Sequence, residues 1–115
     1  MPNLQLATPI LTQVIVRGEN HVVSIHVHEV GGNNFNWSGY TPKARISVGL
    51  TNLTCTGSVI SQGGGTASFT FTAAQTGGIA SASWGELVMW ADPTVGGEDL
   101  HIATVPVQFT AEAIP

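Results

Sequence analysis

The stretch Lys43-Ala-Arg-Ile-Ser-Val-Gly-Leu50 decides the class of fold. Ala44, Ile46, Val48 and Leu50 alternate with Lys43, Arg45 and Ser47, a period of two. Successive side chains of a strand point to opposite faces, so this alternation is that of a half-buried β-strand. A helix would place its apolar residues at three- and four-residue spacings instead.

The same signal recurs on both sides. Val14 and Val16 form a short strand that runs into the turn Arg17-Gly18-Glu19-Asn20. Val23, Ile25 and Val27 alternate with Ser24, His26 and His28, and Gly31-Gly32-Asn33-Asn34 then forms a loop. Leu53–Ile60 is a weaker β run, and Gly63-Gly64-Gly65 is a hairpin tip. Ala67, Phe69 and Phe71 alternate with Ser68, Thr70 and Thr72. Ala73–Ile79 suits one helical turn crossing between sheets, and Glu86–Asp92 is an apolar strand closed by Asp92-Pro93. Leu100–Thr110 is a long final strand whose parity slips: Leu100 and Ile102 share one face, Val105, Val107 and Phe109 the other. With Pro106, which has no N–H to donate, the slip points to a bulge and an edge position. The expected fold is all-β, an immunoglobulin-like or jelly-roll-like β-sandwich of about 6–8 strands. The expected core is the alternating faces of Ala44–Leu50 and Ala67–Phe71.

Residues 1–11 read as an extended N-terminal arm and residues 12–115 as one domain, because 115 residues suit a single core. The arm carries Pro2 and Pro9 among scattered leucine and isoleucine. Its Leu4, Leu6, Ile10 and Leu11 need a surface to lie against, and a neighbouring subunit is the expected one.

Composition narrows the function. Only 9% of the residues are charged, with three bases (Arg17, Lys43, Arg45) against seven acids. Three bases do not neutralise a phosphate track or grip an anionic bilayer, so neither nucleic acid nor membrane is an expected partner. A surface of Ser, Thr, Asn, Gln and Gly costs little to desolvate and suits permanent packing against neighbours. One cysteine, Cys55, allows no internal disulfide. The opening Met-Pro-Asn-Leu-Gln-Leu carries no signal-peptide pattern, so synthesis in the cytoplasm is expected.

No constellation for chemistry stands out. His26 and His28 share a strand face and could share a metal with Glu19, Glu29 or His101. A structural site needs four ligands and only two are local, so a polar sheet face is the better reading. Cys55 lies in a threonine-rich β run and reads as a small buried hydrophobe rather than a nucleophile. Glu98-Asp99, Asp92 or Glu86 could supply paired carboxylates, but Asp92-Pro93 and Glu98-Asp99 flank an ordinary turn, the better reading. Gly63–Gly65 lacks the lysine and following helix of a phosphate loop. Asn36-Trp-Ser and Asn52-Leu-Thr match the glycosylation pattern without a secretion signal. No catalytic, cofactor-binding or metal-binding residue is therefore assigned, no cofactor is implied, and the chain is not expected to be an enzyme. Trp37, Trp84 and Trp90 suit core or interface anchors, or a sugar-stacking platform. Trp37 and Trp90 join Leu4, Leu6, Ile10 and Leu11 as expected interface residues.

Three stretches taken in order carry a resemblance. They are Val14-Ile-Val-Arg-Gly-Glu19, Trp37-Ser-Gly-Tyr-Thr-Pro-Lys-Ala-Arg-Ile46, and Phe69-Thr-Phe-Thr-Ala-Ala-Gln-Thr76 followed by Trp84-Gly-Glu-Leu-Val-Met-Trp-Ala-Asp92. Their order resembles the immunoglobulin-like N-terminal domain of phage baseplate upper proteins and related tail modules. The resemblance implies a non-enzymatic virion protein acting by subunit packing, with other virion proteins as partners; a homo-oligomer, a trimer or ring, is the expected state because virion attachment points sit on symmetry axes. A capsid cement protein gripping the shell through the arm, and a carbohydrate-binding host-attachment module, are the alternatives.

Overall fold

A computed structural model describes residues 4–7, 10, 12–79 and 83–110. Among the described residues, nine strands and one short helix follow in the order β1 (Leu4–Leu6), β2 (Gln13–Val16), β3 (His21–Glu29), β4 (Tyr40–Val48), β5 (Thr51–Thr56), β6 (Ser58–Ser61), β7 (Thr66–Phe71), α1 (Ala73–Gly77), β8 (Ser83–Pro93) and β9 (Leu100–Thr110). They form a four-stranded sheet, β1-β3-β7-β6, and a five-stranded sheet, β2-β9-β8-β4-β5. The first is the A-B-E-D sheet of an immunoglobulin domain. The second is its G-F-C sheet, extended by β5 at one edge and by β2, parallel to β9, at the other. The strand order selects the immunoglobulin-like sandwich over the jelly roll.

The two inner faces make the core. Val23, Ile25 and Val27 of β3 and Ala67, Phe69 and Phe71 of β7 are buried. Across from them lie Ala44 and Ile46 of β4, Leu87, Met89 and Ala91 of β8, and Val105, Val107 and Phe109 of β9. The strands that carry the central disulfide of an antibody domain, β3 and β8, here contribute aliphatic side chains and Met89. Cohesion between the sheets therefore rests on apolar packing.

Several expectations shift. The alternation that starts at Ala44 does not reach Leu50, which is fully exposed. Gly49 turns the chain at a φ of 59°, and the strand ends at Val48. In β2 the inward residue is Ile15, while Val14 faces out. Three consecutive β-branched residues leave both parities apolar, so composition could not choose the face. The slip in β9 is a bulge, seen where Met89 pairs Ala103 but Trp90 pairs His101. The strand is not an edge along its whole length. β2 covers Val107–Thr110, and the pairing stops just short of Pro106, which has no N–H to offer it.

The first strand accounts for the excess over eight. Leu4–Leu6 pairs antiparallel with β3, and Ala7 N donates to His26 O at 2.8 Å. Leu4 is buried, and Leu6 and Ile10 pack against the core. Leu11 lies outside the described residues. Leu4, Leu6 and Ile10, expected to need a neighbour, thus find cover on their own domain, because the exposed edge of β3 offers unpaired backbone groups to the arm.

The crossing from sheet to sheet at Gly57 is one residue long, between β5 and β6. A Cβ there would lie 2.6 Å from Ser68 O and 2.7 Å from Phe69 Cδ1, so only glycine lets the chain pass this close to β7. The return crossing is made by α1. Thr72 caps it: its hydroxyl accepts from Gln75 N at 3.2 Å, while Gln75 Oε1 accepts from Thr72 N at 3.0 Å.

Candidate functional site

The outer face of the five-stranded sheet gathers the chain's scarce charge. Antiparallel register sets Lys43, Trp90 and His101 side by side across β4, β8 and β9. The next row holds Arg45, Val88 and Thr104, and the next Ser47, Glu86 and Pro106. Trp84 sits opposite Gln108, which is also opposite Val14 of β2. These residues point away from the core because their chain neighbours fill it. Two of the three bases, Lys43 and Arg45, and three of the seven acids, Glu86, Asp92 and Asp99, lie on this face or at its rim.

Lys43 Nζ lies 3.2 Å from Asp92 Oδ2, a pair open enough to water to add little stability. Beside it a cleft of about 280 Å³ is lined by Arg45, Val88, Trp90, Asp99 and His101. His101 Nε2 lies 2.9 Å from Thr104 Oγ1. Strand parity puts Arg45, Val88 and Trp90 on one face in the sequence itself. Asp99, from the β8–β9 loop, and His101, beyond the bulge, join them only through the fold.

A second groove, about 420 Å³, lies where the N-terminal segment meets β3, β6 and β7. Leu6, Ile10 and Ile60 give it an apolar lining, with Ser24, His26 and Thr66. Of the expected interface residues, Leu4 is therefore in the core, and Leu6 and Ile10 line this groove. Trp37, expected at an interface, is 2% exposed. It packs edge-to-face on Phe35 at 4.9 Å, and Phe35 meets Tyr40 at 5.2 Å. Its indole N–H has no hydrogen-bond partner among the described residues. Trp90 is half-buried at the cleft, and Trp84 is 62% exposed.

The histidine pair forms as strand parity predicts. His26 and His28 meet edge-to-face at 4.6 Å, and His26 Nε2 lies 2.8 Å from Asn34 Oδ1. Among the described residues no three His, Cys, Asp or Glu side chains come together as a metal site, so Glu19, Glu29 and His101 do not join them. Cys55 Sγ donates to Thr70 O at 3.2 Å, and burial pushes the thiol up, which disfavours the nucleophilic thiolate. His21, hydrogen-bonded to Gln13 Oε1 at 2.8 Å, is pushed down by burial. The tip Gly63–Gly65 joins β6 to β7, and Gly65 is also stitched to β3, its carbonyl accepting from Val27 N at 2.9 Å.

One buried knot of hydrogen bonds was not expected from the sequence. Thr76 is fully buried; its hydroxyl accepts from Gly18 N at 3.1 Å and donates to Glu19 O at 2.7 Å. Arg17 completes it, donating from Nε to Thr110 O at 3.1 Å and from an Nη to Ile79 O at 3.0 Å. The Arg17-Gly18-Glu19 turn and the Thr72–Thr76 segment, far apart in sequence, are thus bound to each other. The spacing Thr72-x-x-Gln75 was a visible helix-start signal. Nothing local announced that Thr76 would bind the other turn.

No family model matches the chain, and no curated protein matches it. Among solved structures it is similar to the N-terminal domain of phage TP901-1 ORF48, with a TM-score of 0.57 and 13% identity over 96% of this chain and 95% of that one. A chimeric titin Z1Z2, functionalized with a KLER exogenous peptide from decorin, aligns with a TM-score of 0.43 and 14% identity over 96% of this chain and 98% of that chain. Among the described residues no helix is long and apolar enough to cross a membrane. At 13% identity the end-to-end likeness to the phage domain is one of fold: an immunoglobulin-like β-sandwich.

Proposed function

We propose that this chain is a non-enzymatic structural module of a bacteriophage particle, acting by packing against other tail or baseplate subunits and copies of itself. The observation that carries the reading is the match to a phage domain along nearly the whole of both chains. Two features of the molecule support it. Its surface is poor in charge and rich in small polar side chains, which cost far less to desolvate than charged ones. Its edge strand β5, Thr-Asn-Leu-Thr-Cys-Thr, carries none of the lysines or prolines that soluble proteins use to blunt an edge. One backbone group there is already occupied, Thr54 O accepting from Gln75 Nε2 at 2.8 Å. The tail reading stands ahead of capsid cement because the arm's Leu4 and Leu6 are used within the domain.

The test is quantitative mass spectrometry of gradient-purified phage particles from the source of the gene, with labelled recombinant chain as standard. The expected result is a fixed integer ratio to the tail proteins. Absence of the chain from intact particles overturns the proposal.

A further inference from the structure

We infer that the cleft beside Trp90 is a binding site for one pyranose ring of a neutral glycan. This goes beyond a packing role and does not depend on it. A sugar ring has an apolar C–H face and a girdle of hydroxyls, each both donor and acceptor. Its site needs a flat apolar surface beside mixed donors and acceptors. Trp90 and Val88, half-buried at alternate positions of β8, supply the apolar floor. Arg45 from β4 brings donors only and Asp99 acceptors only, and His101 adds an imidazole whose Nε2 is held by Thr104 Oγ1 at 2.9 Å.

The signs matter as much as the groups. Arg45 and Asp99 face one cleft, so an anionic ligand gains from the first and is repelled by the second. A cation meets the reverse. A neutral polyhydroxyl ligand can use both. Of the other charges on this face, Lys43 and Asp92 neutralise each other at 3.2 Å, and Glu86, one row beyond Val88, adds a further disadvantage to anions. The volume, about 280 Å³, is just below the usual range of small-molecule clefts, room for a single ring. Four of the five lining residues lie on paired strands, which hold the floor and two sides of the rim rigidly. Trp84 provides the contrast: it stands on the same sheet face, more exposed, and lines no part of this cleft.

The experiment is an NMR titration of the indole N–H and His101 ring signals. The probes are free glucose, galactose, mannose, N-acetylglucosamine and rhamnose, with glucuronate and inorganic phosphate as anionic counterparts. The expected result is saturable movement of the Trp90 and His101 signals by at least one neutral sugar, with millimolar affinity. Trp90→Ala should abolish it, and Trp84→Ala should leave it unchanged. Asp99→Asn, at an exposed loop position, keeps the test decisive if Trp90→Ala unfolds, and should weaken binding several-fold. The inference is overturned if no neutral sugar moves these signals or if only the anions do. It is also overturned if the signals move only with protein concentration, the mark of self-association, or if Asp99→Asn binds like the parent.

Discussion

Replacing Thr76 by valine should loosen the seam between the β2–β3 turn and α1 without disturbing the core. Valine has nearly the shape of threonine but no hydroxyl. One accepted hydrogen bond goes, from Gly18 N, and one donated hydrogen bond, made to Glu19 O at 2.7 Å and shared with Ala73 O at 3.3 Å. At about 1 kcal/mol each, somewhat more where a group stays shielded from water, the loss is about 2–3 kcal/mol. Gly18 and Glu19 are themselves exposed, so water recovers part of it. The added buried methyl returns about 0.8 kcal/mol. The net expectation is about 1–2 kcal/mol. Unfolding entropy of about 2.1 cal/mol/K per residue, for 115 residues, converts each kcal/mol into about 4 °C. The melting temperature should therefore fall by about 4–8 °C, read by circular dichroism, with an unchanged urea m-value. Amide exchange at Gly18 should accelerate at the same time. A variant within about 0.5 kcal/mol of the parent, with Gly18 exchange unchanged, would show that the knot contributes nothing and that Arg17-Gly18-Glu19 is merely a turn.

Phe69→Ala, at a fully buried position facing the opposite sheet, should cost about 3–5 kcal/mol in urea denaturation. A loss below about 1 kcal/mol would mean that the face of β7 is assigned wrongly. His21 holds its proton less tightly folded than unfolded, so the unfolded chain binds more protons near its ordinary value of 6.5. Stability should therefore fall as the pH is lowered through 6.5, and His21→Gln should flatten that part of the profile in melts taken from pH 8 to pH 5; an equally steep profile refutes it. Deleting residues 1–11 removes Leu4 from the core and strips β3 of a partner strand, so the shortened chain should melt lower or fail to fold. If it folds with parental stability, β1 is an optional strand and its leucines are free for a neighbouring subunit.

What the sequence determined by itself was local. Period-two alternation set the inward faces of β3, β4 and β7, because a strand's pleat maps parity onto sides. The parity slip of Leu100–Thr110 announced the bulge, and Thr72-x-x-Gln75 could announce the start of α1. Alternation misled where it was degenerate or overrun, at Val14–Val16 and at Leu50 beyond the Gly49 turn. Only the tertiary structure decided what depends on partners distant in the chain. It put Leu4–Leu6 on β3 and buried Trp37, and it ended the pairing of β2 just short of Pro106. It joined Thr76 to Gly18 and Glu19, and it brought Asp99 and His101 to Arg45 and Trp90. Backbone hydrogen bonds between strands carry no local sequence signature, and apolar side chains near a terminus are the same whether they cover their own sheet or another's. The fold chose between these by which unpaired edge was nearest in space.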